Sequence, residues 1–198
     1  MEGGAAMKSI ILSLTLAAVS VLSACALTPQ NLRLDPKVSV QPTPVASGTI
    51  IGLGIEDSRS TQKLGEVGDP NTKMVDVSLT EDFRPRLYDE ISRTLTALGF
   101  SVVPYSDNLE RAITVDVRRL ELSSVKQPFV FDTELNAELG AVARNGGDTY
   151  DRLYYVRTRK ETAGPPYLED SNALVNTAVA QALEDILSDQ RLFELLKR

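Results

Sequence analysis

Between Gly48 and the C-terminal end, the spacing of apolar residues switches between two periods, and each switch marks an element. Gly48 to Ile55 (GTIIGLGI) is a short run of β-branched residues and glycines, the pattern of a buried first strand. Polar residues take over from Glu56 to Asn71, with Gly65, Gly68 and Pro70, and read as a long loop. Leu87, Ile91, Leu95 and Leu98 then recur every three or four residues, which places them on one face of a helix. Asp82 is its expected N-cap, Pro85 lies in the first turn where a missing N–H costs little, and Gly99 ends it in a left-handed conformation. Phe100 to Val103 follows as a second strand, ended by Pro104.

Ile113, Val115 and Val117 alternate with polar residues, whereas Leu120 and Leu122 resume on the opposite parity, so a bulge is expected at Arg118 and Arg119. Phe129, Phe131, Thr133, Leu135, Ala137, Leu139 and Ala141 hold one parity through a long strand. Asn145 to Asp148 then form a tight turn, from which Tyr150 to Thr162 pairs back as a hairpin. A last amphipathic helix begins at Ser171 or Asn172 and carries Leu174, Val175, Ala178, Val179, Ala182, Leu183, Ile186 and Leu187, with a final turn at Leu192 to Leu196. The order strand, helix, four strands, helix predicts an α+β domain over 48–198. Its sheet would be mostly antiparallel, of about five strands, with two helices packed on one face.

The N-terminal end has a different pattern. Lys8 precedes an apolar stretch from Ile10 to Leu22, long enough for the core of a signal peptide and shorter than the roughly 20 residues that span a bilayer. Leu22, Ser23 and Ala24 then lead into Cys25, an aliphatic residue and two small ones before a thiol, which is the layout of a bacterial lipobox. An uncleaved helical anchor with a chance cysteine is the alternative, but the chain's only Cys stands at the end of the apolar run and is followed by a linker without stop-transfer charges. Residues 1–24 are therefore read as a signal peptide, and Cys25 as the site of a covalent diacylglyceryl group and an N-acyl chain. Each buried methylene contributes about 0.8 kcal/mol, so such an anchor holds permanently. Residues 25–47, with Pro29, Pro36, Pro42 and Pro44, are read as lipidated Cys25 and a flexible tether with an end-to-end distance of roughly 25 Å. Ala26 stands where an aspartate would retain the protein in the inner membrane, which favours an outer-membrane location facing the periplasm.

Composition narrows the chemistry. A formal charge of −6 persists after loss of residues 1–24, which carry only Glu2 and Lys8, so nucleic acid is not an expected partner. The absence of histidine removes the usual general base and the commonest transition-metal ligand, and the lone cysteine is consumed by lipid. No cofactor beyond the lipid and no metal is expected, because the oxygen-ligand loop pattern for Ca²⁺ is missing.

Over essentially its whole length the chain resembles the YajG family of bacterial lipoproteins. The likeness rests on the lipobox, on Asp57, Ser58 and Arg59 followed by Leu64, Gly65 and Val67, and on the helix from Asp82 closing on Gly99 and Phe100. The Ala143–Asn145 turn and the run from Ser171 to Phe193 complete it. It implies an envelope lipoprotein and supplies no catalytic residue.

Asp57 and Arg59, where the first strand meets the loop, are the candidate partner-binding pair. The alternative is a self-contained turn in which the carboxylate accepts backbone N–H bonds and Arg59 pairs with a nearby carboxylate. Glu56, Asp57, Glu66 and Asp69 could in principle supply the two carboxyls a glycan hydrolase needs. Phe129, Phe131, Tyr150, Tyr154 and Tyr155 could line a groove for a lipid or peptide, or stabilise the sheet by cross-strand pairing. The reading that results is a lipid-anchored, non-enzymatic accessory protein binding an envelope protein or cell-wall component. A carboxylate-based peptidoglycan hydrolase and a small lipid or peptide carrier are its alternatives.

Overall fold

The computed structural model describes residues 27–40 and 43–198. Eight strands and three helices follow one another: β1 (Gln30–Leu32), β2 (Thr49–Asp57), β3 (Lys63–Asp69), β4 (Lys73–Leu79), α1 (Arg84–Ala97), β5 (Phe100–Pro104), β6 (Arg111–Lys126), β7 (Phe131–Asn145), β8 (Asp148–Thr162), α2 (Leu168–Leu187) and α3 (Gln190–Leu196). The class is α+β, but the sheet is larger than expected and mixed. β1 with β4, β2 with β5, β2 with β6 and β3 with β6 are parallel pairs, while β3 with β4, β6 with β7 and β7 with β8 are antiparallel.

The long strand β6 organises this sheet. β7 occupies one of its edges from Arg111 to Lys126. The other edge receives β2 at Ala112 to Val117 and β3 at Leu122 and Ser123. A strand has only two edges, so β2 and β3 lie end to end along the same one and the sheet forks between them. β5 extends the first branch, and β4 then β1 extend the second. The expected bulge is present, with a register shift between Val117 and Arg119, level with the fork.

The polar stretch 56–71 is therefore not one long loop. Leu64 and Val67 of β3 are buried, and Gly65 comes so close to β6 that a Cβ there would stand 1.8 Å from the Leu122 carbonyl oxygen. A glycine needed for strand contact thus looks, in sequence, like a glycine of a loop.

α1 packs on β2 and β5, α2 on β1, β7 and β8, and α3 on β7 and β8, all sharing one apolar core. The Phe100 and Phe193 rings, 6.0 Å apart, join β5 to α3. α1 begins one residue later than predicted: Phe83 is the N-cap, and the Asp82 carboxylate accepts the Arg84 N–H at 3.0 Å. α2 begins before Ser171, since Asp170 reaches back to accept the Tyr167 N–H at 3.1 Å and closes the first turn there. Gly99 ends α1 at φ +95°, as its position suggested.

The stretch assigned to a flexible tether departs most from expectation. Over residues 27–40 it is a strap fastened to the domain, with Leu32 and Leu34 in the core. Asn176 of α2 accepts the Asp35 N–H at 2.6 Å and donates to the Arg33 carbonyl at 2.9 Å, while Asn172 accepts the Arg33 N–H at 3.0 Å. Further along, Glu90 of α1 accepts the Val38 N–H and Glu184 of α2 accepts that of Ser39. Backbone polar groups of an isolated extended segment need partners when it is covered, and helix side chains one turn apart supply them here.

Candidate functional site

Asp57 ends β2 at the fork, and Arg59 folds back onto it. The Asp57 carboxylate accepts from the Arg59 backbone N–H at 3.3 Å, from Nε at 2.8 Å and from Nη2 at 2.9 Å. The guanidinium lies 5.1 Å over the Phe83 ring, and its side chain is only 6% exposed. Burial pushes the Asp57 carboxyl up, but the hydrogen bonds and charge of Arg59 outweigh it and hold the group below its ordinary value. Ser58 is fixed by the Val117 carbonyl and the Asp116 carboxylate, both at 3.1 Å. The predicted pair is brought together, but chiefly toward each other.

The other carboxylates of the hydrolase reading are spread along the branch. Glu66 pairs with Lys63 at 2.6 Å, and Asp69 pairs with Lys126 at 2.5 Å while capping the Asn71 N–H at 3.0 Å. The Lys126 hydrogen bond holds Asp69 below its ordinary value, opposite to what a general acid at neutral pH requires. The aromatic set is likewise dispersed. Phe131 and Tyr154 are buried in the sheet, Tyr150 is half-buried, and Phe129 and Tyr155 are exposed in separate places.

A polar centre that sequence reasoning missed lies at the junction of α2 and α3. Asp189, whose side chain is 4% exposed, caps α3 by accepting the Arg191 N–H at 3.0 Å on Oδ1. Its Oδ2 accepts from Tyr154 Oη at 2.7 Å, Arg152 Nη1 at 2.9 Å and Tyr150 Oη at 3.0 Å. Tyr150, Arg152 and Tyr154 alternate along β8, so they project from one face of the strand. Burial raises the Asp189 carboxyl, and the two phenols and the guanidinium overcome this, leaving it below its ordinary value. Burial, and then the facing Asp189 charge, push the Tyr154 phenol far up, so it stays a neutral donor. A depression of about 650 Å³ opens beside this centre, lined by Arg152, Tyr155, Asp185 and Arg191 among others. Its lining is charged and phenolic, unlike the apolar cavity of a lipid carrier. The signal in the sequence was the i, i+2, i+4 set on β8, but nothing local said which acid it faced.

A family model described as an uncharacterised lipoprotein matches residues 36–197. The chain belongs to this family of YajG-type bacterial lipoproteins. No curated protein matches it. Among solved structures, a Xanthomonas campestris protein is 20% identical, with 82% of this chain and 94% of that one covered at a TM-score of 0.43. A neuraminyllactose-binding hemagglutinin homolog from Helicobacter pylori is 8% identical, with 81% and 95% covered at 0.44. Lipoprotein GNA1162 from Neisseria meningitidis is 12% identical, with 72% and 99% covered at 0.37. At these scores the likenesses carry no functional information.

The lipobox residues Leu22, Ser23, Ala24 and Cys25 of this lipoprotein lie outside the described residues. Among the described residues, no helix is long and apolar enough to cross a membrane. Among the described residues, the lipoprotein's longest unpaired edge belongs to β8, which pairs there with β7 alone over Asp148–Thr162.

Proposed function

We propose that this lipoprotein is held by acylated Cys25 in the outer membrane, faces the periplasm, and binds another envelope component along β8 without catalysing a reaction. The single observation that carries the binding reading is the free edge of β8. Along this fifteen-residue strand every second residue turns its backbone N–H and C=O away from β7, a row of unpaired donors and acceptors that can take up a strand from a partner. Asp151, Arg157 and Arg159 at outward positions guard this edge against indiscriminate pairing, and exposed Tyr155 sits at its middle. Contact through Asp57 and Arg59 would first require opening their own ion pair, so β8 is the surface we assign. The lipobox and family membership support the anchor, and Ala26 supports the outer membrane.

Two measurements test this. Cells grown with radiolabelled palmitate should label the wild-type protein and not Cys25→Ser; an unlabelled wild type found only in the soluble fraction overturns the anchor. A photo-crosslinking residue at Tyr155 should give a discrete adduct in intact cells. Yields no higher than with the same probe at Tyr105 overturn the edge assignment.

A further inference from the structure

The geometry points to a second membrane contact: the end of the sheet carrying the β6–β7 turn rests on the bilayer surface and inserts Phe129 at the boundary between headgroups and acyl chains. The inference rests on the Cys25 anchor proposed above and adds an orientation to it.

The leash is short. Leu27 already packs against the core, with Cδ2 3.1 Å from where a Cβ on Gly68 would stand. β1 runs parallel to β4 with Gln30 opposite Val77, so the chain preceding it heads toward the β3–β4 turn. From Leu27 to Cys25 is two residues, which even fully extended reach about 7 Å. That is about the thickness of one headgroup layer. A lipid on Cys25 therefore draws the β3–β4 turn against the bilayer and leaves no room for a protein between them.

The same end of the molecule gathers exposed apolar side chains. Lys126 at the end of β6 reaches Asp69 at the end of β3 at 2.5 Å, so the β6–β7 and β3–β4 turns are neighbours. The Gln127 N–H donates to the Val130 carbonyl at 2.8 Å, closing a tight turn with Phe129 at its tip, 91% exposed. Gln30 Nε2 donates to the Pro166 carbonyl at 2.8 Å and brings up the β8–α2 loop, next to exposed Tyr167 and Leu168. With Val125, four of the eight exposed large apolar side chains among the described residues belong to this end, including the most exposed one. A bare phenylalanine on a turn tip is unfavourable in water and favourable at an acyl boundary. Because the lipid already fixes attachment, this contact sets direction. β8 then rises away from the membrane with Thr162 nearest it, and Ile50 stands at the far end, about 50 Å along the strand direction.

The chain has no tryptophan, so Phe129→Trp places a single emitter at the turn. The acylated protein, purified from cells grown with labelled palmitate, is reconstituted in vesicles of phosphatidylethanolamine and phosphatidylglycerol with brominated acyl chains. The Phe129→Trp variant should show a blue shift and about a twofold loss of emission, as for a ring seated 5–10 Å into the surface. Ile50→Trp in the same vesicles should show neither. Labelled protein whose position-129 emission matches that of Ile50→Trp overturns the docked face while leaving the anchor intact. A blue shift without bromolipid quenching, fading as protein is diluted below one per vesicle, overturns it in favour of a second copy. Absence of label from the wild type overturns the anchor, and the docked face falls with it.

Discussion

The hydroxyl of Tyr154 donates to the carboxylate of Asp189 at 2.7 Å, tying the edge strand β8 to the junction of α2 and α3. With Tyr150 and Arg152 on the same oxygen, one carboxylate anchors three donors from a strand that has a neighbour on one side only. Replacing it leaves the buried Tyr154 and half-buried Tyr150 hydroxyls without their acceptor and removes the cap of α3. Asp189→Ala should lower unfolding free energy by about 2–4 kcal/mol, read from urea midpoints at unchanged slope. Arg152 is half in water, which keeps the loss at the lower part of that range. Tyr154→Phe should cost about 1–2 kcal/mol, and the double variant less than the two together, because they share one contact.

The same carboxylate makes a pH prediction. Its pKa in the folded protein lies below the ordinary 3.8, so the folded state releases this proton more readily than the unfolded chain. The stabilisation is present above pH 3.8 and is lost as pH falls through the lower folded value. Asp189→Asn should therefore flatten the acid limb of the stability profile below about pH 4 and leave its slope between about pH 6 and 8 unchanged. A wild-type slope retained in the variant below about pH 4 would assign that limb to other carboxyls.

Gly65 lets β3 approach β6. A methyl group there would stand 1.8 Å from the Leu122 carbonyl oxygen, a distance no rotamer can relieve. Gly65→Ala should separate the two strands and cost about 3 kcal/mol or more. Hydrogen exchange should show lost protection confined to β3, β4 and β1, the branch that β3 attaches. Protection lost equally in β2 and β5 would contradict the fork.

The strap depends on Asn176, which bonds both sides of its backbone. Asn176→Ala should release residues 33–40 without unfolding the domain, seen as faster proteolytic cleavage in that segment at a nearly unchanged melting temperature. Cleavage as slow as in the wild type would mean that buried Leu32 and Leu34, with the Asn172, Glu90 and Glu184 bonds, hold the strap without Asn176.

Arg59 sits over Phe83 with its guanidinium committed to Asp57. Arg59→Lys keeps the charge, loses the fork of two parallel bonds, and should cost about 1–2 kcal/mol. Arg59→Glu should cost more, since it buries a like charge beside Asp57. A stability equal to wild type in Arg59→Glu, measured in urea, would return this pair to the surface as a free recognition element.

The elements that could be read from the sequence are those whose contacts are local or periodic. The Leu87–Leu95 face of α1, the parity of β7 and the β7–β8 turn follow from side chains repeating every 3.6 or 2 residues and from Gly146 at φ +58°. Even the bulge at Arg118 could be placed, because a parity change in one strand has few other causes. β4 carried a legible alternation in Val75, Val77 and Leu79, yet it stood beside a stretch whose glycines and charges looked like a loop. β1 and β3 were not legible. A three-residue parallel strand and a glycine-bearing one are defined by the neighbour they meet, and that neighbour lies far away in sequence.

By itself, the sequence determined that this chain has an α+β core, a lone cysteine at the end of a short apolar run, and no histidine, since each depends on residue identity and near-neighbour spacing. Only the tertiary structure decided that β2 and β3 share one edge of β6, that residues 27–40 are strapped down, and that Asp189 faces Tyr154. It also decided that Leu27 and Phe129 belong to one end of the molecule. Those are contacts between residues tens to more than a hundred positions apart. The free energy that selects them comes from burying one shared core and satisfying polar groups across it, and a local pattern does not encode that choice.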